Sequence, residues 1–246
     1  MNYAERAATR TGGREATTRR IPPRLALAVG MPEAAPPKGW KWSPLTALAR
    51  MESGHTPSRR VPSYWGGNIP WISISDAKSF HGETVQDTIE KVTEDGINNS
   101  SARVLPVRTV CLSRTASVGY VVVMGSPMAT SQDFVNWICS KELEPEFLKY
   151  LFIAEGEGLL RFSSGAVHQT IYFPEAKAFH ICCPPLAEQR RIVGILDQAF
   201  EGIAIARANA EINLRNREAL FKNYVYSVSS STESQAHFAD SPSVRL

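Results

Sequence analysis

The sequence predicts an α+β protein: a globule with a small mixed or antiparallel β-sheet and flanking helices, followed by one long C-terminal helix. Three observations carry this reading. Short apolar runs at 104–112, 118–124 and 134–139 are bounded by glycine, proline and serine, the pattern of strands between turns. A helical pattern opens at Glu144-Pro145 and carries Phe147, Leu148, Leu151 and Phe152 on one face. From Leu186 to Ser227 the 246-residue chain then holds no proline. Roughly 40 residues at about 1.5 Å each make a rod on the order of 60 Å long, too long for a core helix of so small a domain.

Residues 1–38 hold seven basic residues against three acidic, which leaves twenty basic against twenty-one acidic for 39–246. The net charge of +3 is therefore no argument that the folded part binds DNA, unless its cations gather on one face. Rich in Arg, Thr, Ala and Pro and without apolar periodicity, 1–38 reads as a flexible basic arm that adds sequence-independent phosphate attraction. A solvated leader without a role is the plain alternative.

The folded part is expected to span 39–183, opening at Gly39-Trp40-Lys41-Trp42. Ser43 caps a short helix with Pro44 in its first turn, carrying Leu45, Leu48 and Met51, and Gly54 stops it. Residues 55–62 read as a polar loop. Tyr64-Trp65 and Trp71 flank a Gly66-Gly67 turn, after which Ile72 and Ile74 alternate with Ser73 and Ser75 as in a half-buried strand. A strand and a helical turn fit 84–94. Pro106 breaks the strand pattern over 104–112, and Gly125-Ser126-Pro127 ends that over 118–124. The helix from Pro145 reaches Phe162 and Gly165 stops it. Two short strands, 169–172 and 179–183, lead to Pro184 and Pro185, which fix φ and lack donors, so that a helix starts just beyond them. Residues 229–246 read as a disordered tail.

Cys111, Cys139, Cys182 and Cys183 show no CxxC spacing. With no secretory leader read at the start, they are expected to be reduced thiols of a cytoplasmic protein rather than a metal site. No run of eighteen apolar residues exists to span a membrane.

Methyl transfer needs a glycine-rich cofactor loop and an Asn/Asp-Pro-Pro-aromatic motif, and an ATP-driven motor needs GxxxxGK(S/T). The sequence has neither. Glu175-Ala176-Lys177, with Asp133 upstream, has the form of a Mg²⁺-nuclease triplet, a form common by chance. No catalytic or metal-binding set emerges, which leaves a binding role, with nucleic acid as one partner to weigh. Bases are read by bidentate Arg on guanine and Asn or Gln on adenine, and phosphates are held by Lys, Arg, Ser, Thr and backbone amides. Four predicted loops offer these groups: Arg59 and Arg60; Arg114, Thr115 and Ser117; Ser131 and Gln132; Ser164 with His168 and Gln169. Each has a plain alternative. Arg114 or Gln132 satisfies loop carbonyls, Ser164-Gly165 is a helix C-terminal turn, and His168 is a solvated histidine. Tyr64, Trp65 and Trp71 read as core and hairpin packing rather than a base-stacking platform.

On the long helix, Leu186 and Gln189 lead into a seam stepped by four and three: Ile192, Leu196, Ala199, Ile203, Ala206, Ala210, Asn213, Arg217, Leu220, Tyr224. Only Asn213 and Arg217 interrupt it, and the alanines let a partner helix approach closely. Antiparallel pairing with a second helix and folding back on its own globule both fit this pattern.

Residues 184–197, PPLAEQRRIVGILD, resemble the segment that closes each target-recognition domain in the DNA-specificity subunits of type I restriction-modification systems. Two further blocks agree in order: GHTPS at 54–58 with YWGGNIPWISISD at 64–76, and VLP at 104–106 with VCLSR at 110–114 and Gly119. The resemblance spans about 39–227 and implies a target-recognition domain over 39–183 and a coiled-coil-like spacer helix over 184–228. Such subunits usually carry two of each. This chain has room for one, and so looks like a half-subunit that needs a second copy. The resemblance also implies double-stranded DNA as partner, and modification subunits that bring S-adenosylmethionine and methylate adenine. Where a restriction subunit is present, ATP and Mg would belong to it. The chain itself is expected to hold no cofactor and to be no enzyme. By the family's pattern, the segments around Arg114 and Gln132 border the DNA-facing surface. Two rivals are a remnant or regulatory half-subunit that engages partners without a usable DNA site, and a stand-alone nuclease acting through Glu175 and Lys177.

Overall fold

The computed structural model describes residues 36–115, 117–165 and 169–239, with side chains as far as residue 226. The basic arm up to residue 35 and the tail from residue 240 lie outside the described residues. The chain divides into two units, one ending at Val193 and the other starting at Gly194.

The first unit is built on a five-stranded sheet in the order β2 (Ala49–Ser53), β9 (Phe134–Cys139), β6 (Val110–Ser113), β7 (Val121–Met124) and β4 (Thr84–Val85). β4 runs parallel to β7, and the other neighbours are antiparallel. Both faces are covered, which is why β6 and β7 read as unbroken apolar runs. Val110, Leu112, Val121, Val123, Val135 and Trp137 line one face, against α4 (Pro145–Glu155) and the 3₁₀ turn Gly156–Phe162. Phe179 is the hub there, with ring centroids 5.0 Å from Phe162, 6.1 Å from Phe152 and 6.3 Å from Trp137. Cys111, Val122, Met124 and Phe134 line the other face, with Ile72, Val85, Leu105 and Met128.

A three-stranded sheet, β5 (Glu90–Val92), β3 (Trp65–Ile72) and β8 (Ala129–Thr130), carries the tryptophans. A two-stranded ribbon joins β1 (Lys41–Pro44) to β10 (His180–Cys183).

Tertiary pairing overrides local pattern at several places. Instead of one helix over 43–51, the four-residue α1 (Leu45–Leu48) sits between β1 and β2, because Pro44 is extended (ψ 134°) and Ala49 to Ser53 pair with β9. Gly66-Gly67 makes no turn but lies within β3, where Gly66 has φ 78° and the register shifts between Trp65 and Ile69, a bulge. Ile74 opens α2 (Ile74–Ser79) rather than extending a strand. Ser73 accepts from Asp76 N, and the buried Asp76 carboxylate accepts from Ser73 N at 2.9 Å and Ile89 N at 2.9 Å. This capping box stabilises the helix start by about 1 kcal/mol. The turn expected within 84–94 becomes α3 (Glu94–Asn98) just beyond it. β6 is confined to 110–113, with Arg108 just before it at φ 66°. α5 (Phe173–Lys177) stands where only a gap between strands was read, and Thr170 makes isolated bridges rather than a strand.

The helix predicted after the paired prolines is α6 (Leu186–Ala239), whose first two turns belong to the first unit. Pro185 O accepts from Glu188 N and Gln189 N at 2.9 and 3.1 Å. Gln189 is fully buried: its Oε1 accepts from Glu144 N at 2.8 Å, and its Nε2 donates to Glu142 O and Pro184 O at 2.9 Å each. The sequence grouped it with partner-facing residues, but a side chain so enclosed has no surface to offer. Arg190 and Arg108 both donate to the Glu144 carboxylate. With Leu186, Leu143, Cys139 and Val107, these residues line a cavity of about 230 Å³.

In the second unit α6 continues as one helix to Ala239, beyond the expected end at 227–228. Neither proline nor glycine occurs between Gly202 and Pro242 to stop it. The four cysteines are free thiols. Burial pushes Cys139 up to about 12 and Cys183 up to about 11, so neither forms a thiolate at neutral pH.

Candidate nucleic-acid interface

The four polar stretches singled out in the sequence leave from one end of the five-stranded sheet or are fastened to it. β2 finishes there at Ser53 and β6 at Ser113, while their antiparallel neighbours β9 and β7 start there at Phe134 and Val121. The segments that follow Ser53 and Ser113 and precede Phe134 therefore emerge side by side. The fourth stretch joins them through Ile171 N donating to Arg114 O at 2.8 Å and a bridge between Thr115 and Thr170. Ser164 pairs with Thr170 through backbone bonds of 3.0 and 3.1 Å. The opposite sheet end, at Ala49, Val110 and Cys139, holds the root of α6.

Backbone contact zips these loops together. Gly54 is required by close approach, since a Cβ there would lie 1.9 Å from Ser131 O. Next to it His55 N donates to Thr130 O at 2.9 Å, and Thr56 Oγ1 donates to Gln132 Oε1. Ser131 is buried, with Oγ bonded to Asp133 Oδ2 at 3.1 Å and accepting from Asp133 N at 3.2 Å. Ser113 Oγ donates to Ser117 O and accepts from Tyr120 N at 2.8 Å, which draws Ser117 and Tyr120 onto Ser113.

Arg114 is the fastener of the cluster. Its Nη2 donates to Gln132 O at 2.9 Å and its Nη1 to Ile171 O at 3.4 Å, and the guanidinium lies 4.4 Å from the Phe173 ring centroid. Burial lowers its pKa, while the charges of Asp133 and Tyr172 act the other way. Nε is buried without a hydrogen-bond partner among the described residues. Gln132 and Gln169 are exposed, as is Arg60. His168 lies outside the described residues. Arg59 stacks on Trp65, 3.8 Å from its centroid, and donates through Nη1 and Nη2 to the Glu90 carboxylate.

Sequence reasoning missed Glu90 and Phe173, which orient the cations but belong to no motif, and read Asp133 only as part of a nuclease-like set. Gly54 was read as a helix stop. Its position between Ser53 and a run of loop residues was the available sign of a close approach. Of the nuclease-like triplet, Glu175 is buried on α5 and Asp133 is bonded to Ser131. Among the described residues no three His, Cys, Asp or Glu side chains gather as a metal site.

The helix residues divide into two groups. Leu186, Ile192 and Leu196 are half-buried, and Ile192 packs against the globule's core. Ala199, Ala206 and Ala210 are exposed, as are Ile203, Leu220 and Tyr224 at 61, 70 and 67 %. At about 100° per residue, the exposed Leu214 and Phe221 fall on the same face and fill the break at Asn213 and Arg217. Ile205, Ile212 and Tyr226, also exposed and spaced by multiples of seven, lie on the opposite side of the helix.

Residues 37–214 match the family described as the type I restriction modification DNA specificity domain. The chain is 30% identical over 190 residues to the type I restriction enzyme MjaIX specificity subunit of Methanocaldococcus jannaschii, covering 76% of this chain and 44% of that protein. A structure from work on complex assembly and conformational transition of the type I R-M system superposes with a TM-score of 0.59 at 25% identity, covering 84% of this chain and 50% of that one. The HsdS subunit from Thermoanaerobacter tengcongensis gives 0.55 at 25% identity, covering 82% and 48%. The chain thus spans about half the length of the relatives it matches.

Proposed function

The chain belongs to the type I restriction-modification DNA specificity family, and on that premise we propose that it reads double-stranded DNA through the four-loop end of its globule and pairs with a second copy through its long helix. The observation that carries this reading is the gathering of four dispersed stretches at one sheet end, with Gln132, Gln169 and Arg60 left exposed. Backbone fastening holds the loops rigid, so bases are read without the cost of ordering them.

The helix supports the second half of the proposal. Its seam presents Ile203, Leu214, Leu220, Phe221 and Tyr224 to solvent, an apolar stripe of the kind that pairs helices. Two copies joined antiparallel hold two reading ends apart, each on one half of a split inverted-repeat site. Helix length then fixes the separation of half-sites, centred one helical turn of about 34–36 Å or more apart. The opposite stripe of Ile205, Ile212 and Tyr226 is available to modification subunits, which bring S-adenosylmethionine and methylate adenine. This chain supplies address and not chemistry.

Light scattering of the full-length chain, alone and with its modification subunits, tests the pairing. The proposal expects two copies per particle at tens of micromolar. A chain that stays single in both samples contradicts it. Co-purification with modification subunits and methylation of no sequence favours a regulatory half-subunit instead.

A further inference from the structure

Within the loop cluster one cation is held in a preset orientation with a bidentate edge still open. Arg59 lies on the loop after β2, half exposed at 52%. Its guanidinium stacks on Trp65 at 3.8 Å and sits 5.2 Å from Trp71. The two indoles, edge to face at 5.1 Å, tether the same loop: Trp65 Nε1 donates to Ser58 O at 3.3 Å and Trp71 Nε1 to His55 O at 3.1 Å. Glu90, opposite Trp71 in the β3–β5 pairing, takes the end-on edge of the guanidinium, with Nη1 on Oε1 and Nη2 on Oε2 at 2.8 Å.

A guanidinium has five N–H donors. The end-on pair uses one from each Nη, and Trp65 covers one face. Of the three that remain, Nε–H and the outer Nη2–H form the side edge, two parallel donors without partners among the described residues. We propose that Arg59 reads a guanine in the major groove through this edge, donating to O6 and N7, and that Glu90 is the residue that positions it. The inference rests on the DNA-recognition reading above and names the base and the residue for it. A phosphate takes the same bidentate fork, but charge decides between the two. Arg59 and Glu90 together are neutral, and a phosphate on the side edge would stand beside the Glu90 carboxylate, like charge against like. The uncharged guanine edge meets no such repulsion. Arg114 is unsuited to the role, since both its Nη groups are taken by carbonyls and its Nε is buried.

The test is selection of randomised duplexes by the full-length chain, wild type beside Arg59→Ala, Arg59→Lys and Glu90→Gln. Arg59→Lys keeps the charge and the stem on Trp65, and so stands in if the alanine variant folds poorly. The wild type is expected to enrich a motif with a G·C pair whose discrimination, about 5- to 150-fold for a bidentate contact, falls to near unity in both Arg59 variants. The other positions and the salt dependence hold. Glu90→Gln is expected to weaken preference at that same pair alone. 7-Deazaguanine there, which lacks the N7 acceptor, weakens wild-type binding and leaves Arg59→Ala binding unchanged. An unchanged motif in the Arg59 variants overturns the inference. So does a uniform loss at every position with the salt slope reduced by about one, the mark of a phosphate contact. A wild-type chain that enriches no sequence overturns the recognition reading itself, and this inference with it.

Discussion

The two ends of the five-stranded sheet treat polar groups in opposite ways. At the end marked by Ser53, Ser113 and Phe134, backbone bonds lock the loops to one another while Arg60, Gln132, Gln169 and one edge of Arg59 face outward. At the end marked by Ala49, Val110 and Cys139, the strong groups are turned on each other: Gln189 into the backbone of 142–144 and Pro184, Arg108 and Arg190 into Glu144. Recognition needs donors left open on a fixed scaffold. Anchorage of a long helix needs its donors and acceptors closed. On the proposed function, one small sheet would meet both needs by separating them to its two ends.

Breaking the closed end is expected to give the largest effect. Gln189→Leu keeps the volume but leaves Glu144 N and the carbonyls of Glu142 and Pro184 without their buried partner. At about 1–3 kcal/mol for each of the three groups so stranded, the loss is about 3–9 kcal/mol, or on the order of 10–20 °C in thermal unfolding of a chain this size. A shift of less than about 2 °C, corresponding to under roughly 1 kcal/mol, would show that the anchor is not closed in the way described.

Gly54→Ala acts at the other end. Its Cβ meets the Ser131 carbonyl and must push the 54–56 and 130–132 segments apart, at a cost of about 1–3 kcal/mol. DNA sequence preference should fall while the light-scattering mass of the chain is unchanged. Lost pairing with intact preference would reverse the assignment of the two ends. Arg114→Ala is smaller, about 1–2 kcal/mol for two hydrogen bonds to carbonyls. Amide exchange should rise at 169–172 and 131–133 and stay level at 186–193. Exchange rising at all three alike would mean that the ends are not independent.

Acid gives the smallest contrast. Burial works to raise the Glu144 carboxyl, but hydrogen bonds with Arg190, Glu146 and Arg108 together with the Arg108 charge hold it below the ordinary range. Its contribution is complete above the unfolded value of about 4.3 and is lost as pH falls through the lower folded value. Melting temperature followed from pH 6 to below pH 4 should drop more steeply for wild type than for Glu144→Gln. Parallel curves would remove Glu144 from the anchor.

Much of this was legible in the sequence, for identifiable reasons. The start of α6 was written by Pro184-Pro185, β9 by an apolar run over 134–139, and α4 by Glu144-Pro145 with its aromatic face. Where reading failed, pairing partners distant in sequence decided the outcome. Ala49 to Ser53 became a strand because β9 lies beside them, and Gly66-Gly67 a bulge because β5 does. The loop stretches were found by residue type alone, but their convergence depends on strand order, which no local pattern encodes. Gln189 looked like one more helix surface residue, because burial of an amide is visible only once the carbonyls around it are placed. Glu90 was invisible for the same reason, lying 31 positions from the arginine it orients.

The central claim is that one end of this globule reads DNA and that a shared helix fixes the distance between two such readings. Mapping the adenines methylated in random-sequence DNA by the full-length chain with its modification subunits tests it most directly. The account predicts a two-part inverted repeat with a gap of constant length. A single uninterrupted motif, or half-sites at variable spacing, would contradict it.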